Sequence, residues 1–448
     1  MKLDDGALRS AVGGRVYAVG DDGYHAARTP WQRKFDPHPA VVVEATGAPD
    51  VRAALHFARE HGLPFSVQAT GHGAVAPAEG GVLVKTAKLT AVEVDAGRRT
   101  ARVEGGAPWS DVIAAAAPHG LAPLSGTSST VSVAGYTLGG GAGWLSRAYG
   151  YAADSVLSAE LITADGELLT ASPDNHPDLF WAIRGGGGNF GVVTALEFRL
   201  YPVGTVYAGM AMFDADRAAD AFAAYREWAL DEPDESNSAV LLAQMPPVPE
   251  VPEPVRGRRV LILRVFHAGD AAHAERSLAP LRDAAGPPLL DGTRETTFAD
   301  AAAMLPSPPP MVSEISFGLF DAVPDEAIAA VVESEGVAGV ELRHWGGAIA
   351  RPEPGAGPIG HREMPFSIVV AAQAPDRDQS DRLKAAVDAV AARLEPHAAP
   401  GKSFLNFLGD ADRTETAYTP ADYRRLREVK AAYDPDNVFA ANHNIPPA

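Results

Sequence analysis

The run VVVEAT at 41–46 is apolar, β-branched and of strand length, and the register of apolar residues then changes. In APDVRAALHFAREHGL at 48–63, Val51, Ala54, Leu55 and Ala58 recur at helical spacing behind Asp50, which predicts a helix with Asp50 as its N-cap. PFSVQ then reads as the next strand. Short β-rich runs alternate with helical stretches and glycine-rich turns from 41 to 200, an α+β pattern. Within it, Leu161 to Leu169 carries Asp165-Gly166 between two apolar runs, a strong hairpin signal whose role is scaffold.

Past YPVGT at 201–205 the glycine punctuation thins and the units lengthen into GMAMF, a helix at about 215–230 and LLAQM at 241–245. PPVPEVPEP at 246–254 cannot be regular structure, because its prolines lack donors and fix φ, so it interrupts this lobe as a loop. RRVLILRVF, a helix at about 270–285, MVSEISFGLF, VELRHW, PFSIVVAA and a helix at about 377–395 continue the alternation. They predict an open sheet covered by helices on one face. From 403, SFLNF, a helix at about 420–432 and YDPDNVFAANHNIPP read as a return to the first lobe. The expected division is therefore 36–205, 206–400 and 401–448, with no internal repeat.

Composition narrows what such a chain can do. Among 448 residues, 57 Asp and Glu outweigh 38 Lys and Arg, and a formal charge of −19 with no basic cluster excludes nucleic acid as a partner. The absence of cysteine removes disulfides, thiolate metal sites, iron–sulfur clusters and thiol nucleophiles, and no metal is expected. No apolar run reaches the roughly 18 residues of a membrane span. MKLDDGALRS lacks the basic start and apolar stretch of a secretory signal, so a cytoplasmic location without a membrane partner is expected. Oligomeric state is not legible.

Three glycine-dense segments carry the candidate chemistry: QATGHGA at 68–74, SSTVSVAGYTLGGGAGWLSRAYG at 128–150 and LFWAIRGGGGNFGVV at 179–193. Glycines let backbone approach a ligand and present successive N–H groups to an anion such as a pyrophosphate, although tight turns alone would also use them. Gly186-x-Gly188-x-x-Gly191 matches the dinucleotide fingerprint, but the β-rich VVTALEFRL follows where that fingerprint needs a helix. No Gly-Lys-Ser or Gly-Lys-Thr closes any of these loops, so a P-loop is excluded as well.

In order and spacing, four motifs resemble the berberine bridge enzyme-like branch of the vanillyl-alcohol oxidase superfamily of FAD-linked oxidases, over most of the chain. They are Gly71-His72-Gly73, the stretch from Thr130-Val131 to Gly143, Arg184 to Val193, and the terminal Tyr433 to Phe439 with Asn442-His-Asn444-Ile-Pro446. The resemblance implies an α+β fold: a two-lobed PCMH-type FAD-binding domain plus a substrate domain with an antiparallel sheet under helices. It also implies covalent FAD, bonded through His72 to the flavin 8α carbon. A histidine between two glycines suits close approach and nucleophilic attack, and an ordinary loop histidine is the alternative. The family's second, cysteinyl attachment falls on Ser128, so attachment can only be single.

The remaining assignments follow from the same resemblance. Thr70, Gly71, Gly73 and Ala74 would wrap the pyrophosphate, with Gly139, Gly140, Gly141 and Gly143 across from them. Ser132, Gly135 and Tyr136 would approach the ring or ribityl chain, and Gly191 and Val193 the adenosine end. Asn442 and Asn444 would lie by the flavin edge, or simply form turns. On the substrate side, Arg343 stands where several relatives carry a carboxylate base, and strand alternation puts it with Glu341, away from His344. Arg343 could bind an anionic or carbonyl substrate, or form a structural ion pair with Glu341. The family's tyrosine before x-Asn406 is Phe404, while Tyr136 could supply a phenol from the opposite side. Trp144, Trp345 and Phe407 read as packing, and His361-Arg362 either closes the site or is solvated.

The implied reaction is hydride transfer from a C–H of an alcohol, sugar, amine or natural product to flavin N5, followed by O2 reduction to H2O2. An oxygen-insensitive dehydrogenase, or a flavin or ligand binder without turnover, are the alternatives.

Overall fold

β1 (Arg15–Ala18), β2 (Val41–Glu44), β3 (Phe65–Gln68) and β4 (Val82–Lys85) form a four-stranded sheet in the order β1-β2-β4-β3. The computed structural model describes residues 4–305 and 307–448, so the first three positions of MKLDDGALRS lie outside it. β4 pairs in parallel with both β2 and β3, which requires a crossover between those two strands. Helix α1 (Ala48–Glu60) makes it, burying Val51, Ala54, Leu55, Phe57 and Ala58. Its first turn starts before Asp50, because Pro49 fits the first helical turn and Gly47 occupies the N-cap. Asp50 instead accepts N–H bonds from Gly13 (2.8 Å), Gly14 (3.1 Å) and Thr46 (2.8 Å), which ties the segment ahead of β1 to the helix. The sheet therefore takes in residues before 36.

The second sheet contains β5 (Val92–Asp95), β6 (Thr100–Glu104), β7 (Val156–Ile162), β8 (Leu168–Ala171) and β9 (Val192–Arg199) in the order β5-β6-β9-β7-β8. The Asp-Gly hairpin forms as read, pairing Leu161 with Leu169 across a loop in which Gly166 takes φ +88°. β9 directly follows Gly191, so the glycine fingerprint leads into a strand. Helix α2 (Val133–Leu138) sits in the second glycine-rich segment and buries Val133, Ala134 and Leu138.

The third sheet is antiparallel. It comprises β10 (Thr205–Asp214), β11 (Ser236–Gln244), β12 (Arg259–His267), β13 (Pro288–Asp291), β14 (Arg294–Thr297), β15 (Val312–Phe320), β16 (Gly339–His344) and β17 (Phe366–Ala374). Its order is β13-β10-β12-β11-β16-β17-β15, with β14 also on β10. Helices α3 (Ala218–Ala229), α4 (Ala271–Ala285), α5 (Asp325–Val332) and α6 (Ser380–Leu394) cover one face through a core that includes Phe213, Phe222, Tyr225, Leu342 and Ile368. Part of the opposite face is closed by the proline-rich excursion, whose Val251 and Val255 pack on Met210, Met212, Leu241 and Ile262. The rest faces the first lobe.

The C-terminal segment packs beside the glycines of the first lobe. In helix α7 (Pro420–Tyr433), the fully buried Lys430 donates from Nζ to the carbonyls of Asn189 (2.8 Å) and Phe439 (3.1 Å) and to Asp434 (2.6 Å). Asn189 then accepts the Ile445 N–H at 2.8 Å, so one buried lysine and one asparagine fix the terminal strand of motifs beside the 186–191 glycines. Among the described residues no helix is long and apolar enough to cross a membrane.

Candidate active site

The loop leaving β3 opens into a cavity of about 1790 Å³, walled by the first lobe, by β15 and Arg343 of the third sheet, and by parts of the C-terminal segment. That is larger than the space a drug-sized ligand fills, which runs to about 1,000 Å³. Thr70, Gly71, His72, Gly73 and Ala74 all line it. Gly71 takes φ +81°, and a Cβ there would meet Gln68 Nε2 at 2.3 Å and Pro30 Cβ at 2.7 Å, so only glycine fits the turn. Gly73 has open space where a side chain would be. The N–H groups of Gly71, His72, Gly73 and Ala74 find no acceptor among the described residues, which leaves four successive donors unpaired in a loop that lines the cavity. Such a nest suits an anion.

His72 is held on two sides. Its Nδ1 lies 3.0 Å from Thr70 Oγ1, and its ring stacks on Trp31 with centroids 4.2 Å apart and planes 16° apart. Burial pushes its pKa down to about 4, so the imidazole is neutral across ordinary pH. Trp31, which no sequence pattern marked, reaches His72 from a separate segment through a Trp31 N–H bond to the Thr70 carbonyl at 3.0 Å.

Ser128, Ser132, Gly135, Tyr136 and Gly139 line the cavity from the second glycine-rich segment. Gly140, Gly141 and Gly143 do not, contrary to the pyrophosphate role expected of them. Their backbones are packed against protein: a Cβ on Gly140 would meet the Phe404 ring at 2.9 Å, one on Gly141 the Tyr136 ring at 2.5 Å, and one on Gly143 the Ser125 carbonyl at 1.9 Å. Asn406 secures this turn, accepting the Gly141 N–H (2.8 Å) and donating to the Tyr136 carbonyl (3.0 Å). The asparagine of the Phe404-Leu-Asn406 motif thus positions Tyr136. Phe404 points away from the cavity and stacks on Tyr151, centroids 5.2 Å apart.

Gly191, Val193 and Asn442 line the cavity, and Asn442 Oδ1 accepts the Val75 N–H at 3.3 Å. Asn444 lies off the cavity, because its backbone turns back to donate to the Asn442 carbonyl. Gln68 Nε2, Tyr136 Oη and Asn437 Oδ1 are buried at the cavity wall without a protein partner. Orphaned buried polar atoms beside a free N–H nest are what a polar ligand bound here would satisfy.

The third sheet brings a charged cluster to the same cavity. Arg343 lines it, whereas Glu341 does not and serves as the partner of Arg343 (Nη2 to Oε1, 2.6 Å) and of Arg264 (Nη2 to Oε1, 3.0 Å). Burial alone would push the Glu341 carboxyl up, but the two guanidiniums overcome it and hold it at about 2. Tyr136 is the reverse case: burial raises its phenol far above the usual range against a weaker pull from Arg343, so it stays a donor and is no proton acceptor. Arg264 is a member of the cluster that sequence reading missed. A lone arginine inside the apolar run RRVLILRVF was its only signal.

The other candidates are structural. Trp144 lies under Arg264, 5.7 Å from ring centroid to guanidinium, and Trp345 donates to Ser367 Oγ at 2.6 Å. Phe407 does line the cavity, stacked on Phe317 with centroids 5.0 Å apart. His361 and Arg362 do not line the cavity: the buried Arg362 pairs with Asp154 at 2.8 Å, and the partly exposed His361 contacts the Thr416 carbonyl through Nε2 at 3.0 Å.

A family model described as FAD binding domain matches residues 39–172, and one described as berberine and berberine like matches 394–446. The chain is 29% identical to (R)-6-hydroxynicotine oxidase of Paenarthrobacter nicotinovorans over 98% of this chain and 97% of that protein. It is also 29% identical to an uncharacterised FAD-linked oxidoreductase of Bacillus subtilis, covering 97% and 98%. Among solved structures, 6-hydroxy-D-nicotine oxidase from Arthrobacter nicotinovorans superposes with a TM-score of 0.83 at 26% identity, covering 98% of both chains. A berberine bridge enzyme-like protein of Physcomitrella patens gives 0.86 at 22%, covering 99% and 98%, a likeness of fold.

Proposed function

We propose that the chain is a berberine bridge enzyme-like FAD-linked oxidase that holds FAD through a bond from His72 to the flavin 8α carbon and oxidises a small organic substrate. Bound FAD supplies the hydride acceptor at N5 and the route of electrons to O2, giving H2O2. The observation that carries the reading is His72, kept neutral by burial in a cavity-lining loop whose four successive N–H groups have no acceptor among the described residues. Those N–H groups would hold the pyrophosphate. Trp31 and Thr70 would fix the imidazole, and Ser128 leaves its attachment single.

On the substrate side Arg343 would bind an oxygen of the substrate and stabilise negative charge there. Glu341, ionised and shared by two arginines, orients Arg343 and is a poor base. Tyr136 keeps its proton, so water is left to accept the substrate's proton. The oxidase names of the 29% relative and the 26% structure favour O2 as acceptor.

Two measurements test this. Acid precipitation of purified protein should leave the yellow colour in the pellet, and quantitative release of flavin would refute the covalent bond. Anaerobic mixing with alcohols and amines should bleach the flavin, and air should restore it with H2O2. A spectrum that no alcohol or amine bleaches would mean a binder without turnover, and bleaching that air does not reverse would mean a dehydrogenase.

A further inference from the structure

Arg264 and Arg343 both register against Ala239, and Glu341 is two residues from Arg343 on β16, so the three side chains emerge on one face of the third sheet. Both guanidiniums bond the same oxygen, Glu341 Oε1. The side chains are only 10% (Arg264), 12% (Glu341) and 12% (Arg343) exposed. No second carboxylate contacts either arginine among the described residues, and Arg343 Nη1 is left without a hydrogen bond there. Tyr136 is held as a neutral phenol by its burial and supplies no counter-charge. Two cations against one anion thus leave a single positive charge unmatched in a mostly buried place, an arrangement that is costly unless a ligand supplies the partner.

The surroundings of that charge are apolar. The adjoining row across the sheet reads Ile262, Leu241, Glu341, Val369 and Phe317. Phe317 lines the cavity together with Phe407, the two rings being 7° from parallel. A flat hydrophobic wall and one cation therefore open onto the same space.

Resting on the oxidase reading, we infer that the substrate is an aromatic or conjugated molecule carrying a delocalised oxyanion, whose charge seats on Arg343 and whose ring lies against Phe317 and Phe407. Arg264 makes the site cationic by taking up a share of Glu341, and it acts through that carboxylate without touching substrate.

The probes are benzoate, its neutral isostere benzamide, and the non-aromatic anion cyclohexanecarboxylate, titrated calorimetrically into flavin-loaded protein near neutral pH. Benzoate should bind on the order of 10-fold more tightly than benzamide, and more tightly than cyclohexanecarboxylate. Arg343→Gln should abolish the difference between benzoate and benzamide. Arg264→Met should weaken benzoate on the order of 10-fold with benzamide unchanged, whereas Glu341→Gln, which raises the local charge, should tighten benzoate. A merely structural triad predicts no change in benzoate preference from folded variants. Benzamide binding as well as benzoate, or no benzoate binding, in the wild-type protein overturns the proposal even where a variant fails to fold. Benzoate preference in a protein whose flavin no alcohol or amine bleaches would refute turnover alone. Bleaching with no benzoate preference would refute the anion site alone.

Discussion

His72 combines a reactive position with an unusual charge state, and the two can be separated by pH. An unfolded chain takes up a proton there near 6.5, while the folded flavin-free protein holds it off until about 4. Between those values the unfolded state binds more protons, so the contribution of this site to stability is present above 6.5 and lost as pH falls toward 4. Denaturant titrations of flavin-free protein should therefore show wild type losing more stability than His72→Gln on going from about pH 7.5 to 5, and equal losses would mean that His72 titrates normally. Arg343→Ala should slow anaerobic flavin reduction about 100-fold, the usual loss of one oriented donor, while flavin content and melting temperature stay close to wild type. If Arg343 were only the structural partner of Glu341, the melting temperature would fall and the reduction rate per folded molecule would not. His72 and the glycines around it were legible in the sequence because their chemistry is local to one loop. Trp31, Arg264 and the positioning role of Asn406 were not, because each acts on residues brought to it by the fold: Trp31 on His72, Arg264 on Glu341, and Asn406 on the turn at Tyr136 and Gly141.

Strands and helices with a clear apolar period formed where the pattern put them, including α1, the β7–β8 hairpin and the helices α3, α4 and α6 over the third sheet, whereas the short α5 was not expected. The glycine run at 139–143 shows the limit of such reading. Glycine marks close approach, but pattern alone does not say whether a ligand or the protein's own backbone approaches, and at 140, 141 and 143 it is protein. The helical turn Ser146–Tyr149 that follows carries a feature no periodicity reveals. Its Arg147, 2% exposed, crosses to the other lobe and donates to the carbonyls of Ser236 (2.8 Å), Glu232 (2.7 Å) and Trp345. Its guanidinium is also 3.7 Å from the buried Glu232 carboxylate, which His344 meets at 3.2 Å from the other side. Arg147→Met should strip that carboxylate of its cation and lower unfolding free energy by about 3–5 kcal/mol, measured by denaturant titration. A loss below about 1 kcal/mol would show that the joint between lobes is held elsewhere.

The cavity has no owner among the three segments. Its walls come from the 68–74 loop and α2, from Ser313 to Phe317 of β15 and Arg343, and from Asn406 and Asn442 near the C-terminus. Segments far apart in sequence that share one cavity are stabilised together by whatever fills it, since a ligand bound only to the folded state adds its binding free energy to every opening that breaks the site. Hydrogen exchange compared between flavin-loaded and flavin-free protein should accordingly show added protection in all three places: in 68–74, in β15 and the residues around Arg343, and in 402–409. A self-contained cofactor domain predicts otherwise, with protection confined to the first lobe and β15 exchanging at the same rate in both forms. The Glu314 and Lys34 pair, 2.8 Å apart, already joins β15 to the segment that carries Trp31, and Gln32 Nε2 donates to the Ser313 carbonyl at 2.8 Å. Ordering of His72 and Trp31 by the cofactor therefore has a bonded route into the substrate sheet. Lys34→Ala should weaken the protection gained at β15 on flavin loading while leaving that at 68–74 intact. Unchanged protection at β15 would assign the coupling to direct contact with the cofactor instead.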